Sequence, residues 1–305
     1  MTGQFGEIGP LRVEIIASGL GFVEGPAILP DGRIALASMS RGSVMILDPD
    51  GTVAAEHYLG GGPNGLVVGA DGALYVAQNG GRFAARSRAA PGIQVIRDGH
   101  ADYAYRGLES PNDLVFGPDG RLWVTDSRAD VDFRRPESSP PGQVWAIDLD
   151  SGRAELMAQG PIFVNGIGFS PDCRTLYVTE TVHAHVTAYP LRAGTLQPGR
   201  ILATLLGAHP DGFAVDTAGR LWITTTTGDR IDVLAPDGTL LAQYPLPPNS
   251  MPTNICVLPG PEVFVTAAGT GSLLRLVPRS VAGLPTWLEV GEDDIIRVDL
   301  CPEGD

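Results

Sequence analysis

Short runs of alternating apolar and polar residues, broken by Pro, Asp, Asn and Gly, recur along almost the whole chain. The clearest is SPNDLVFGPDGRLWVTDS, residues 110–127, in which an apolar run from Leu114 to Phe116 turns at Pro118-Asp119-Gly120 and returns from Leu122 to Asp126. β-Branched and aromatic residues on both sides of an Asp-Gly turn predict a tight antiparallel hairpin. Five other segments repeat the pattern, starting at Glu24, Asn64, Asn165, Asp211 and Asn254. In each the turn falls seven positions after the first residue, and successive starts are 40 to 53 residues apart.

Strand pairs repeated at this period, with no helical periodicity, mark propeller blades. A further strand pair follows each hairpin, as at 142–152 and 153–160. Four strands in each of six units predict an all-β, six-bladed β-propeller, with residues 1–305 as one domain. The segment 11–19 has the look of the fourth strand that precedes every other hairpin, so it is predicted to complete the last blade and cover its edge. Beyond about Arg279 an irregular tail with one more strand, 294–300, is expected. A seven-bladed ring of WD40 type would need a seventh repeat and the Gly-His and Trp-Asp marks, which this sequence lacks.

In such a blade the first strand lines the central channel. The turn leading into it shares a face with the loop joining the second strand to the third. Glu24, Asn64, Asn112, Asn165, Asp211 and Asn254 are therefore expected to meet at one mouth of the channel, with loops 79–92 and 127–142 above it. Two carboxylates and four amides make an oxygen-rich donor set without thiolate, which suits hard cations such as Ca²⁺. Asn and Asp also start strands because they favour turns, and for Asn64 and Asn254 both explanations stay open. Turn preference does not account for Glu24.

Composition narrows the partners. A formal charge of −14 argues against a nucleic-acid backbone, and no apolar run is long enough for a membrane span. All 21 basic residues are Arg, which removes Schiff-base and lysine-nucleophile chemistry. The first residues lack a basic and apolar leader pattern, and three widely spaced cysteines give no metal cluster, so a cytoplasmic location is expected. Asp113, next to Asn112, reads as a group that supports the ligands from behind or stabilises the turn, rather than as a ligand itself. His209, His183 and His185 fall in loops of the mouth face and are candidate proton shuttles, with His209 also a candidate substrate contact. His57 and His100 map to outer strands. Six arginines, at 82, 86, 88, 128, 134 and 135, lie in the two long loops, where one could grip a substrate carboxylate.

Four motifs occur in order: Glu24-Gly-Pro, Pro111-Asn112-Asp113 before an Asp-Gly hairpin, Asn-Gly-Ile-Gly-Phe-Ser-Pro-Asp from Asn165, and Pro-Asp-Gly-Phe-Ala-Val-Asp from Pro210. Together they resemble the SMP-30/gluconolactonase/luciferin-regenerating-enzyme family over residues 12–277. The resemblance implies one divalent metal held by Glu24, Asn165 and Asp211, with Asn112 as a further ligand or substrate contact. It implies lactone hydrolysis, organophosphate hydrolysis in related members, and Asp211 as base or nucleophile. Ca²⁺ is the first choice of metal, with Zn²⁺, Mn²⁺, Mg²⁺ or Fe²⁺ as alternatives. A small-molecule lactone or ester is the implied partner. A metal-dependent hydrolase of another ester, such as an organophosphate, and a non-catalytic Ca²⁺-binding propeller are the alternative functions. Sugar lactonases of this family often carry Arg two positions before the Asn of the Asn-Asp motif, to contact substrate hydroxyls. Here that position is Ser110, after Glu109, so Ser110 is the candidate substrate contact there and the resemblance leaves the lactone unspecified.

Overall fold

A computed structural model describes residues 9–128, 131–132, 134–257 and 262–278. The expected strand 294–300 lies outside the described residues. Six antiparallel sheets form a β-propeller, each running outward from a first strand at the axis. The first strands are Val23–Ile28, Pro63–Val68, Pro111–Phe116, Val164–Phe169, Pro210–Val215 and Pro252–Val257. Leu11–Ala17 pairs with Ser272–Pro278 and supplies the outer strand of blade six, so the ring is closed as expected. Blade four carries one addition, a two-residue strand, Thr195–Leu196, beside His185–Arg192.

Local chemistry explains the hairpins. Asp119 Oδ1 accepts the Arg121 N–H at 3.1 Å and the Trp123 indole N–H at 3.0 Å, so one turn carboxylate fixes both the turn and a fully buried ring. Asp216 does the same for Trp222, and Asp71 accepts the Tyr75 hydroxyl. Between blades the strand faces interdigitate: Ala77, Ile93, Leu122, Val124 and Ile147 form one fully buried cluster across blades two and three. Burial of this kind is the main force holding neighbouring blades together.

Near the start of every first strand the pairing register shifts, as between Pro111↔Asp126 and Leu114↔Val124. A register break of this sort re-aims side chains, and here it falls where the chain reaches the axis. The first paired residues are Val23, Pro63, Pro111, Val164, Pro210 and Pro252. The ring positions that follow are thus Glu24, Asn64, Asn112, Asn165, Asp211 and Thr253. This corrects one expectation: Asn254 is not on the ring but one place deeper, equivalent to Asp113. The sixth hairpin, LPGPE, keeps neither the Asp nor the Gly of which the other five each keep at least one at the turn, so the spacing there points one residue too far.

Candidate metal and substrate site at the channel mouth

Buried threonines locate the ring from behind. Thr125 Oγ1 donates to Asn165 O at 2.5 Å, Thr179 Oγ1 to Asp211 O at 2.6 Å and Thr224 Oγ1 to Thr253 O at 2.9 Å. Each bond reaches from the second strand of one blade to the ring residue of the next. Thr253 Oγ1 then reaches Val23 O at 2.7 Å and ties blade six to blade one.

The ring itself is tight. A Cβ on Gly65 would lie 2.2 Å from Asp113 Oδ1, and one on Gly212 would lie 2.2 Å from Asn254 Cγ. Glycine at these two places leaves the axis to Asp113 and Asn254, whose side chains meet across it, Nδ2 donating to Oδ2 at 3.3 Å. Each also accepts the next backbone N–H, Leu114 for Asp113 and Ile255 for Asn254. Below this pair lies a channel cavity of about 230 Å³ walled by residues such as Leu66, Leu114, Ile167 and Phe213. Glu24, Asn112, Asn165 and Asp211 do not line it, so the Asp113–Asn254 pair separates the mouth from the deep channel.

At the mouth Glu24, Asn112, Asn165 and Asp211 are all buried. Burial pushes the Glu24 carboxyl well above its usual range, and the charges of Asp211 and Asp113 push it further, against hydrogen bonds from the Gly25 N–H and the Asn254 amide. Burial also pushes Asp211 up to about 8, opposed by the Asn165 amide and assisted by Asp113. Asp113 is raised to about 6, again by burial. Three carboxyls that resist ionisation together mark a place short of positive charge.

The amides supply the rest of the donor set. Asn112 Nδ2 donates to Ser127 Oγ at 3.2 Å, and Ser127 Oγ donates to Val164 O at 2.6 Å. Asn165 Nδ2 donates to Thr181 Oγ1 at 3.0 Å, and that hydroxyl donates to Pro210 O at 2.9 Å. With the nitrogens tethered, each amide keeps its Oδ1 for another partner. Among the described residues no three His, Cys, Asp or Glu side chains stand at metal-holding spacing. A cation here would therefore be held by the Glu24 and Asp211 carboxylates with the Asn112 and Asn165 amide oxygens, a set that fits a hard divalent ion.

The remaining predicted residues divide. Ser110 is buried beside Asn112, with its backbone N–H on Asp126 Oδ1 at 2.8 Å. His209 is exposed at the rim, its Nδ1 2.7 Å from Thr181 O. His183 and His185 share the buried Glu180 carboxylate, at 2.5 and 3.2 Å, and His185 begins a strand rather than lying in the loop. His57 and His100 are on outer strands, as expected. Ser127 and Thr181 were missed. Their signal is a hydroxyl residue 15 or 16 places after the ring Asn, visible only once the ring is known. The Pro before each of Asn64, Asn112, Asp211 and Thr253 would have given the sixth register.

The family described as SMP-30/Gluconolactonase/LRE-like region matches residues 22–269. The chain is 28% identical over 291 residues to a gluconolactonase of Zymomonas mobilis, covering 84% of this chain and 79% of that one. It is 33% identical over 168 residues to a 6-deoxy-6-sulfogluconolactonase of Pseudomonas putida, covering 51% and 55%. The solved structure of a gluconolactonase from Xanthomonas campestris superposes with a TM-score of 0.74 at 29% identity, over 89% of this chain and 91% of that one.

Proposed function

Because the chain belongs to the SMP-30/Gluconolactonase/LRE-like family, we propose that it is a divalent-metal-dependent hydrolase that opens a lactone ring at the mouth of the propeller. The observation that carries this is the buried pair Glu24 and Asp211, each raised in pKa, beside two asparagines whose amide nitrogens are tied to Ser127 and Thr181. Ca²⁺ fits the all-oxygen donor set best. When bound, the cation supplies positive charge and Lewis acidity to the lactone carbonyl.

The chain's own residues do the rest. Glu24 is engaged by the Gly25 N–H and the Asn254 amide, whereas Asp211 has only the Asn165 amide. Asp211 is thus the carboxylate with lone pairs to spare, and it takes the proton of the attacking water. The water oxygen bonds to the carbonyl carbon, the ring C–O bond breaks, and the departing alkoxide recovers that proton from Asp211. Asn112, held by Ser127, and Ser110 lie where the lactone would be oriented.

A pH-indicator assay on a lactone panel tests this reading. Chelation should stop turnover and divalent cations should restore it. Asp211→Asn should lower kcat by about a thousandfold or more. Turnover untouched by chelation would remove the metal from the reading. Tight cation binding without turnover of lactones or phosphotriesters would reduce the protein to a binding module.

A further inference from the structure

Among the described residues, the buried side-chain atoms without a hydrogen-bond partner are Asn64 Oδ1, Asn79 Nδ2, Ser110 Oγ and Arg128 Nε. All four belong to the mouth ends of blades two and three. Asn64 and Ser110 stand at or beside the starts of their first strands, and Asn79 and Arg128 just after their second strands. Ser110 and Asn79 are each 1% exposed and Asn64 3%. Unpaired buried polar atoms are costly and scarce in folded proteins, and their confinement to one sector points to a ligand that pairs with them.

The sector is built. Asp126 Oδ1 accepts both Ser110 N at 2.8 Å and Arg128 N at 3.0 Å. Arg128 takes the left-handed φ of 66° that side chains avoid, and such strain gathers at working positions. Its guanidinium rests on Glu109 Oε1 at 2.8 Å and leaves Nε unused. Loop 79–92 passes above. Arg82 Nε donates to Glu109 O at 3.3 Å, and Phe83 meets Phe163 edge to face at 5.5 Å. The loop thus runs from blade two across blade three to blade four.

The donor pattern names the group. Asn64 Oδ1 accepts, Asn79 Nδ2 and Arg128 Nε donate, and Ser110 Oγ does either. Donors and acceptors side by side suit hydroxyls, which give one hydrogen bond and take others. A carboxylate or phosphate only accepts, and would face Asn64 Oδ1 unfavourably. Glu109 already offsets the Arg128 charge, so the arginine acts here as a directed N–H rather than as an anion clamp.

We propose that Arg128, with Asn79, extends the hydroxyl contact expected at Ser110 into a specificity-determining wall that selects a neutral hydroxyl group of the substrate over hydrogen or an anionic group at the same place. The proposal takes from the lactonase reading only the ring that carries the hydroxyl. The test is calorimetric binding, with Ca²⁺ present, of a polyhydroxylated lactam, its singly deoxygenated analogues and an analogue with a carboxylate in place of one hydroxyl. Lactams resist hydrolysis, so the readout does not need turnover. The wild type should bind the parent lactam about tenfold or more tighter than at least one deoxy analogue, and tighter than the carboxylate. Arg128→Ala should erase most of that preference. Arg128→Lys keeps a cation for Glu109 but has no N–H at the Nε position; it should lose the preference as well, with an unfolding temperature close to that of the wild type. Preference intact in both variants, or tighter binding of the carboxylate analogue to the wild type, overturns the proposal. Lactam discrimination without hydrolysis of any lactone would sink the lactonase reading and leave the wall standing; lactone hydrolysis without lactam discrimination would do the reverse.

Discussion

Asn112 in blade three and Asn64 in blade two hold the same place on the ring, yet their surroundings differ. Behind Asn112 stands Ser127, whose hydroxyl takes the amide nitrogen and passes its own proton to Val164 O. Behind Asn64 the same place is Asn79, whose Oδ1 turns back onto the N–H groups of Gly81 and Arg82 at 2.9 and 3.3 Å. The first arrangement locks an amide and frees a defined oxygen. The second leaves Asn64 Oδ1 and Asn79 Nδ2 both unpartnered. One repeat position has thus become a tethered amide with a free, defined oxygen in blade three, matched by Asn165 and Thr181 in blade four. In blade two it has become an open polar pair. The carboxylates follow the same division: Glu24, Asp113 and Asp211 crowd the axis, while blade two presents only amides to the mouth.

The largest effect expected from this division is on stability. Asp211 and Asp113 sit at about 8 and about 6, from an ordinary value of 3.8, and Glu24 is also raised. Between the ordinary value and the raised one, the folded chain holds protons that the unfolded chain releases. Raising the pH through that window therefore favours unfolding. Each such proton costs up to about 1.4 kcal/mol per pH unit. In chelator, the unfolding temperature should fall steadily from about pH 5 to about pH 8. Glu24→Gln should flatten the fall, and a divalent cation, which binds the folded state, should abolish it. A chelated protein equally stable at both ends of that range would show that the carboxylates are not clustered as described.

Much of this was legible in the sequence because a propeller repeats its chemistry. Asp-Gly turns, strand pairs and spacing specify six blades, and the closing strand at Leu11–Ala17 follows from its likeness to the other outer strands. Glu24 could be singled out because Glu forms turns poorly. The one-residue displacement at Asn254 comes from the one hairpin that keeps neither the Asp nor the Gly of the shared turn, so the local signal failed where the fold did not. The tethers Ser127 and Thr181 were illegible for another reason. Their role depends on which carbonyl of the next blade lies within reach, which their spacing from the ring Asn does not show by itself. Arg128 was one loop arginine of six until burial and an unused Nε set it apart.

An intermediate effect sharpens the contrast between the two amides. Ser127→Ala and Thr181→Ala each free a ring asparagine to rotate. Each should weaken cation binding by about 10- to 100-fold, the usual consequence of losing a group that orients a ligand. Asn79→Ala removes the equivalent residue of blade two and should shift cation affinity by less than about threefold, since Asn64 is not among the proposed ligands. Titration with Ca²⁺ reads all three variants. Equal losses would mean that blade two donates to the cation as well, and that the division between the two sides is drawn in the wrong place.

The smallest effect concerns the stitching behind the ring. Thr125, Thr179 and Thr224 each bridge to the next blade, but the same position is Ala37 in blade one and Ala77 in blade two. The half that carries the Asn165 and Asp211 donors is therefore bonded blade to blade, and the junctions on both sides of Asn64 lack this bond. Thr179→Val keeps the side-chain volume and deletes the donor to Asp211 O, leaving a buried carbonyl short of its 2.6 Å partner. The loss should be about 1 to 2 kcal/mol of stability, read from denaturant midpoints. Catalysis should suffer more than that loss of stability alone implies, because the backbone under Asp211 is then free to shift. A stability loss with kcat unchanged would mean that the hydroxyl holds the blades together but does not aim the carboxylate. The Asn165 and Asp211 side of the mouth would then owe its rigidity to the amide tethers alone.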